Sequence, residues 1–273
     1  MSEHLIDLDA YFRRIGYDGP RDPSLATLNG IVFQHVQTIP FENLDVLLGQ
    51  RIALDAASLE RKLIHGRRGG YCFEQNGLFL LVLEALGFVV APISARVRWQ
   101  RPRDFTPPRT HLFTRVEIEG VSWLADVGVG GMSPSAALRL ELDTEQSTPH
   151  EPRRLVKEGA IHFHQVRLGG EWRDICEFTL ETMPPIDREV ANWFTSTHPQ
   201  SHFKSNILVG RAGPDGARVT LLDNQFTIRD ARGQADTRLL GSKKELLAVL
   251  AEHFGLHFSE DTHFQLPKAA WLS

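Results

Sequence analysis

The chain is poor in cysteine: two thiols in 273 residues. That excludes a disulfide framework and suits a reducing compartment, where a thiol stays free. It also lacks a surplus of positive charge. The formal charge of −4 gives no general attraction to nucleic acid, and the short basic pairs Arg67–Arg68 and Lys243–Lys244 read as solvated faces or ligand contacts. No apolar run approaches the ~18 residues of a membrane span. The opening MSEHLIDLD is acidic and polar, unlike a signal peptide. There is no internal repeat and no low-complexity tract. With 42% hydrophobic and 23% charged residues, the composition is that of a soluble protein with a sizeable core, expected in the cytoplasm.

Periodicity divides the chain. Leu8, Tyr11, Phe12 and Ile15 fall at helical spacing before Gly16, and Leu25, Leu28, Ile31, Val32 and Val36 form a second stripe ending near Pro40. Leu59 and Leu63 suggest a short helix after Asp55. A further helix runs from about Cys72 to Leu86, with Gly87 beyond its end. After Gly87 the period becomes two. Ile93, Ala95, Val97 and Trp99 alternate with polar residues, and so do Leu112, Thr114, Val116 and Ile118. VSWLADV reads as a return strand after Gly120, and IHFHQVRL and WRDICEFTL as a hairpin across Gly169–Gly170. Many short strands favour a small barrel over a doubly wound sheet. Beyond Met183–Pro185, strands flank Asp223–Asn224, and Ser242–Glu245 is a capping box for a helix closed by Gly255. The expected class is α+β, with a helical domain at 1–87, a β-barrel at 88–185 and an α/β lid at 186–273.

The stretch RRGGYCFEQNG carries the chemistry. Cys72 stands at a helix start, where free N–H groups and the helix dipole favour a thiolate. Gly69 and Gly70 are expected to let the backbone turn sharply and a substrate come close. Most free cysteines are simply small buried hydrophobes, and Cys176, inside an alternating strand, reads that way. A thiolate nucleophile needs a base and a group to orient it. His111 opens a strand after RPRDFTPPRT, and Asp126 ends the next. Pairing through the Gly120 turn sets Asp126 opposite residues 113–115, so the two can meet at one end of a hairpin. His198 and His202 have i, i+4 spacing and His162 and His164 share a strand face. Neither pair has an acidic third ligand at useful spacing, so no metal is expected.

RRGGYCFEQNG, PPRTHLF and ADVGVGG, in that order, resemble the arylamine N-acetyltransferases, as do IPFENLDVLLG and NWFTSTHPQSHF. The resemblance spans nearly the whole chain. It implies a papain-like triad of Cys72, His111 and Asp126, and ping-pong transfer of an acetyl group from acetyl-coenzyme A to an arylamine or hydrazine. It further implies donor contacts at Thr110 and at the Gly128, Gly130 and Gly131 backbone, and acceptor contacts at Phe41 and Phe203. Glu42 and Asn43 are expected to hold the helical domain against the active-site loop. Val129 departs from the phenylalanine usual in the family, which is expected to widen the acceptor pocket. The triad by itself also permits an amide-forming enzyme or cysteine hydrolase with another acyl donor. Expected partners are small molecules, with neither nucleic acid nor membrane, in a monomer or homodimer.

Overall fold

In the computed structural model, residues 6–266 are described. Residues 1–5, part of the acidic opening segment, therefore lie outside the described residues.

The first helices form where the apolar stripes lie. α1 (Leu8–Ile15) is capped by the Asp7 side chain and ends at Gly16 in the left-handed conformation, φ 71°. α2 (Leu25–Thr38) is capped by Ser24. β1 (Phe41–Glu42) and the single turn α3 (Leu44–Leu47) follow. α4 (Ala56–Leu59), capped by Asp55, continues into a π-helical stretch, Glu60–His65. α5 (Cys72–Ala85) is buried on almost every side over its first three turns. Its dense apolar composition therefore shows little amphipathic contrast.

The middle of the chain is an antiparallel sheet of seven strands. In chain order these are β2 (Val89–Val97), β3 (His111–Ile118), β4 (Val121–Ala125), β5 (Leu138–Arg139), β6 (Arg153–Glu158), β7 (Ile161–Leu168) and β8 (Glu171–Thr182). The spatial order is β5-β4-β3-β2-β8-β7-β6. Chain beyond β5 bridges back to β6 at Leu142–Leu155 and Gln146–Arg153, so the two edges nearly meet and the sheet approaches a barrel. In the β3–β4 hairpin Thr114 faces Ala125 and Arg115 faces Leu124, which brings Asp126 beside the start of β3. α5 packs on β2 and β3, and its core is continuous with α1, α2, Val116 and Val127.

The last third supplies α6 (Pro185–Thr197), β9 (Leu208–Ala212), β10 (Arg218–Leu222), β11 (Gln225–Arg229), β12 (Ala235–Leu239) and α7 (Lys243–Phe254), with α7 capped by Ser242 and closed by Gly255. β1 joins its sheet, in the order β1-β9-β10-β11-β12. Phe41 pairs with Gly210 and Glu42 with Val209, so two residues from among the helices form one edge of the C-terminal sheet. The chain is α+β. Among the described residues, no helix is long and apolar enough to cross a membrane.

Candidate active site

Tyr71 is the N-cap of α5 and Cys72 the first helical residue. The Glu74 side chain reaches back one turn to accept the Tyr71 N–H at 3.1 Å. The Glu74 and Gln75 N–H groups donate to the Tyr71 carbonyl, whereas Cys72 and Phe73 open the helix, where N–H groups have no intrahelical acceptor. Gly69 and Gly70 serve a different purpose from the one expected. Neither has a positive φ; Arg67 takes the left-handed turn at φ 50°. A Cβ on Gly69 would lie 2.0 Å from the Pro40 carbonyl oxygen, and one on Gly70 2.7 Å from Glu74 Oε2. The glycines admit neighbouring protein, not substrate.

A buried ionic cluster underlies this loop. Arg68 pairs with Glu42 at 2.6 Å and Asp45 at 2.8 Å, and Lys62 bridges Asp45 at 2.7 Å and Glu74 at 2.6 Å. Burial pushes Glu74 up to about 7 in spite of Lys62. Asn43 ties the loop following α6 to the helices: Nδ2 donates to the Phe203 and Asn206 carbonyls, and Oδ1 accepts from the Leu208 N–H at 2.9 Å.

The three residues expected to form a triad lie together. The Cys72 thiol donates to the Thr110 carbonyl at 3.4 Å and also contacts His111. His111 Nε2 is 2.7 Å from Asp126 Oδ2, with both side chains buried. Burial alone would lower the imidazole. The Asp126 charge and hydrogen bond, with Cys72, outweigh it and raise His111 to about 10. Asp126 is itself lowered: burial opposes, but His111, Asn76 and the Gly128 N–H all favour the carboxylate. The Gly128 N–H donates to Asp126 Oδ1 at 2.9 Å. That N–H, expected to meet a donor phosphate, here serves the carboxylate.

Close packing accounts for the glycine loop. A Cβ on Gly128 would stand 2.7 Å from Asn76 Nδ2 and 3.0 Å from Cys72 Cα, and one on Gly131 2.5 Å from Thr220 Cγ2. A Cβ on Gly130, at φ 98°, would stand 3.7 Å from the Phe41 ring. The loop is wedged between α5 and the C-terminal sheet. Two buried arginines hold its far end: Arg153 donates to the Met132 carbonyl at 2.9 Å and Arg218 to that of Ser133 at 2.8 Å. Both also pair with Glu151.

Phe41 and Phe203 are brought together, with ring centroids 6.2 Å apart, and both pack on the cluster that contains Cys72. Val129 is set apart from them. It packs on Met132, Val166 and Ile175, a cluster that Trp99 also joins. His162 stacks on Phe178, His164 meets Arg153, His198 stacks on Phe194 and His202 contacts Phe203. Among the described residues no group of three or more His, Cys, Asp or Glu side chains is placed to hold a metal.

Sequence reading missed Asn76. It stands one helical turn after Cys72 and is fully buried. Its Nδ2 donates to the Leu112 carbonyl at 2.6 Å and to Asp126 Oδ1 at 2.9 Å, and its Oδ1 accepts the Val127 N–H at 3.0 Å. One amide thus binds the cysteine helix to both strands. An amide at i+4 from the thiol, on a helix rich in apolar residues, was the available signal.

Residues 24–263 match the family model described as N-acetyltransferase. An arylamine N-acetyltransferase of Escherichia coli is 41% identical over 256 residues, spanning 94% of this chain and 91% of the relative. The chain belongs to the arylamine N-acetyltransferase family. The Mycolicibacterium smegmatis member is also 41% identical, over 93% of this chain and 94% of its own. A solved Mycobacterium marinum family member, in complex with CoA, superposes with a TM-score of 0.88 at 40% identity, covering 92% of this chain and 93% of that one.

Proposed function

We propose that this protein transfers the acetyl group of acetyl-coenzyme A to arylamines and arylhydrazines through an acetyl-Cys72 intermediate. The observation that carries this reading is the 2.7 Å His111–Asp126 contact, set against a cysteine at a helix N-terminus. Its support also includes the CoA complex of the M. marinum relative.

The proton on Cys72 Sγ passes to His111. Asp126 fixes the imidazole so that its other nitrogen faces the thiol, and offsets the imidazolium charge. The thiolate attacks the thioester carbonyl and a C–S bond forms. The carbon–sulfur bond to coenzyme A then breaks, and the departing thiolate takes the proton from His111. Free N–H groups at the start of α5 are suited to the oxyanion of each tetrahedral intermediate. The amine next attacks acetyl-Cys72 and loses its proton to His111, and the Cys72 thiolate leaves as the amide forms. Exchange of one thioester for another is near balance, so the acetyl-enzyme can accumulate.

Phe41 and Phe203 provide aromatic faces for the acceptor ring, while Val129 packs on the separate cluster of Met132, Val166 and Ile175. Thr110 contributes its backbone carbonyl to the thiol and lines the adjoining cleft, where the donor's acyl end fits.

Intact-protein mass spectrometry after mixing with acetyl-coenzyme A tests the reading. An acetyl increment on the wild type, absent from Cys72→Ala and discharged by an arylamine, is the expected result. Discharge by water alone at the same rate, or an increment that persists in Cys72→Ala, would overturn it.

A further inference from the structure

Two cavities flank the loop between β2 and β3, and their charges differ. One, of about 400 Å³, is bordered by Thr110, Met183 and Ala191 near the thiol, and carries Arg109 with the acids Glu181 and Asp187. The other, of about 240 Å³, is lined by Arg98, Arg101, Arg103 and Arg173, with Trp99 and a single carboxylate, Asp174. Of the four guanidinium groups in the second cavity, those of Arg98 and Arg103 are held by Glu177, Asp174 and Glu158, so an anion there would be met by Arg101 and Arg173, whereas the two acids disfavour one in the first.

The arginines of the second cavity do different things. Arg98 is buried and committed: it pairs with Glu177 and donates to the Pro102 and Phe105 carbonyls at 2.8 Å, so it is a strut that shapes the loop. Arg103 forks onto Asp174 at 2.7 and 3.0 Å and also meets Glu158. Arg101 lies over the Phe105 ring at 5.1 Å and, among the described residues, pairs with no carboxylate. Among the described residues, Arg173 pairs with one carboxylate, Glu171 at 3.3 Å, in an exposed pair that water competes for. One guanidinium thus has no carboxylate partner and the other only an exposed, water-contested one, so both can turn to an outside anion.

The cavity is on the catalytic side of the barrel. β2 and β3 are antiparallel with Ala95 facing His111, so residues 98–103 continue β2 past the rim that carries His111 and Asp126. Cys176 faces Val97, which brings Arg173 to the same rim. The Arg101 charge acts on His202, whose ring lies 4.5 Å from Phe203, and Phe203 in turn lies 5.5 Å from Tyr71, the neighbour of Cys72.

We propose that Arg101 and Arg173, at the mouth of this cavity, bind a phosphate of the acyl donor and hold it while its thioester reaches Cys72. The inference rests on acetyl-coenzyme A being the donor. It relocates phosphate binding away from the glycine loop, where the Gly128 N–H is already taken and Gly131 is packed under Thr220. A guanidinium fork suits phosphate oxygens geometrically as well as electrically.

The test uses Arg101→Glu/Arg173→Glu, with Arg101→Gln as a milder variant that removes one exposed charge. Calorimetry measures CoA binding at two salt concentrations. Mass spectrometry compares acetylation of Cys72 by acetyl-coenzyme A and by p-nitrophenyl acetate, which carries no phosphate. The double variant is expected to bind CoA at least tenfold more weakly at low salt, with the gap narrowing at high salt. The ratio of acetyl-coenzyme A to p-nitrophenyl acetate rates should fall by a similar factor, and Arg101→Gln should shift both readouts the same way by less. Repeating the binding with dephospho-CoA assigns the site: a smaller loss there points to the 3′-phosphate, an equal loss to the diphosphate, and either supports the proposal. Unchanged CoA binding in both variants overturns it, as does an effect confined to carboxylate-bearing acceptors. Wild-type protein that takes acetyl from p-nitrophenyl acetate would in that case still support transfer through Cys72. Wild-type protein acetylated by neither donor would overturn the transfer reading itself.

Discussion

Asn76 donates a 2.9 Å hydrogen bond to Asp126 Oδ1, the carboxylate oxygen that His111 does not use. The same amide holds the Leu112 carbonyl and the Val127 N–H. It is a positioning residue: it touches Asp126 and the backbone beside His111, and so fixes both relative to the thiol one helical turn away.

Asn76→Ala should lower the rate of Cys72 acetylation at least tenfold, because about an ångström of drift already misaligns the reacting groups. It should also destabilise the fold by about 1–3 kcal/mol, since Asp126 and two backbone groups lose a buried partner. Single-turnover acetylation and urea melts check both. Full acetylation rate in a destabilised variant would mean that Asn76 serves the fold alone.

Gly128 and Gly77 make a paired prediction. Gly128→Ala places a methyl 3.0 Å from Cys72 Cα, against backbone that cannot yield cheaply. It should cost roughly 1–3 kcal/mol and most of the activity. Gly77→Ala lies within α5, and its methyl would meet Leu59 Cδ1 at an ordinary 3.5 Å. It should raise stability by up to about 1 kcal/mol through helix propensity. Melting curves of the two variants should move in opposite directions.

Stability should fall on both sides of neutrality, through two buried histidines. Burial holds His35 down at about 4, so the unfolded chain binds a proton that the folded one refuses. Its contribution is complete above pH 6.5 and is lost as the pH falls toward 4, a loss of roughly 3 kcal/mol. Asp126 and Cys72 outweigh burial and raise His111 to about 10. Its contribution is complete below pH 6.5 and is lost as the pH rises toward 10. Urea melts across pH 4.5–9.5, a range of roughly five units around the histidine value, should show His35→Gln flattening the acid limb and His111→Gln the alkaline limb. Parallel curves for wild type and variants would refute the assignment.

Val129 supports a prediction about acceptor size. A phenylalanine there would have to fit beside Met132, Val166 and Ile175, in a loop whose next residue, Gly130, leaves a side chain only 3.7 Å from the Phe41 ring. Val129→Phe should slow transfer to bulky arylamines more than to small hydrazines. The measure is the ratio of rates for a large and a small acceptor, and an unchanged ratio would count against Val129 as a determinant of acceptor range.

Cys72 at a helix start, His111 opening a strand and Asp126 closing the next one are local facts, set by residue type, by helix and strand period and by the Gly120 turn. The sequence by itself determined these, along with the capped helices and the β3–β4 hairpin. It could not reveal α6, whose apolar residues Ile186, Val190 and Trp193 face outward while Ala191 and Thr195 are buried. Nor could it reveal β12, which is exposed throughout and carries no apolar alternation. The pairing of β1 with β9 joins residues far apart in the chain, and no local pattern encodes such a partner. The glycines were visible as letters, but their purpose was not. Whether a missing side chain admits substrate, a carbonyl or a neighbouring helix depends on what packs there, and only the tertiary structure decided that Pro40, Glu74 and Cys72 fill those spaces. Asn76 and the guanidinium groups of Arg101 and Arg173 belong to the same class: a polar group's role is set by its partners, and partners are chosen in three dimensions.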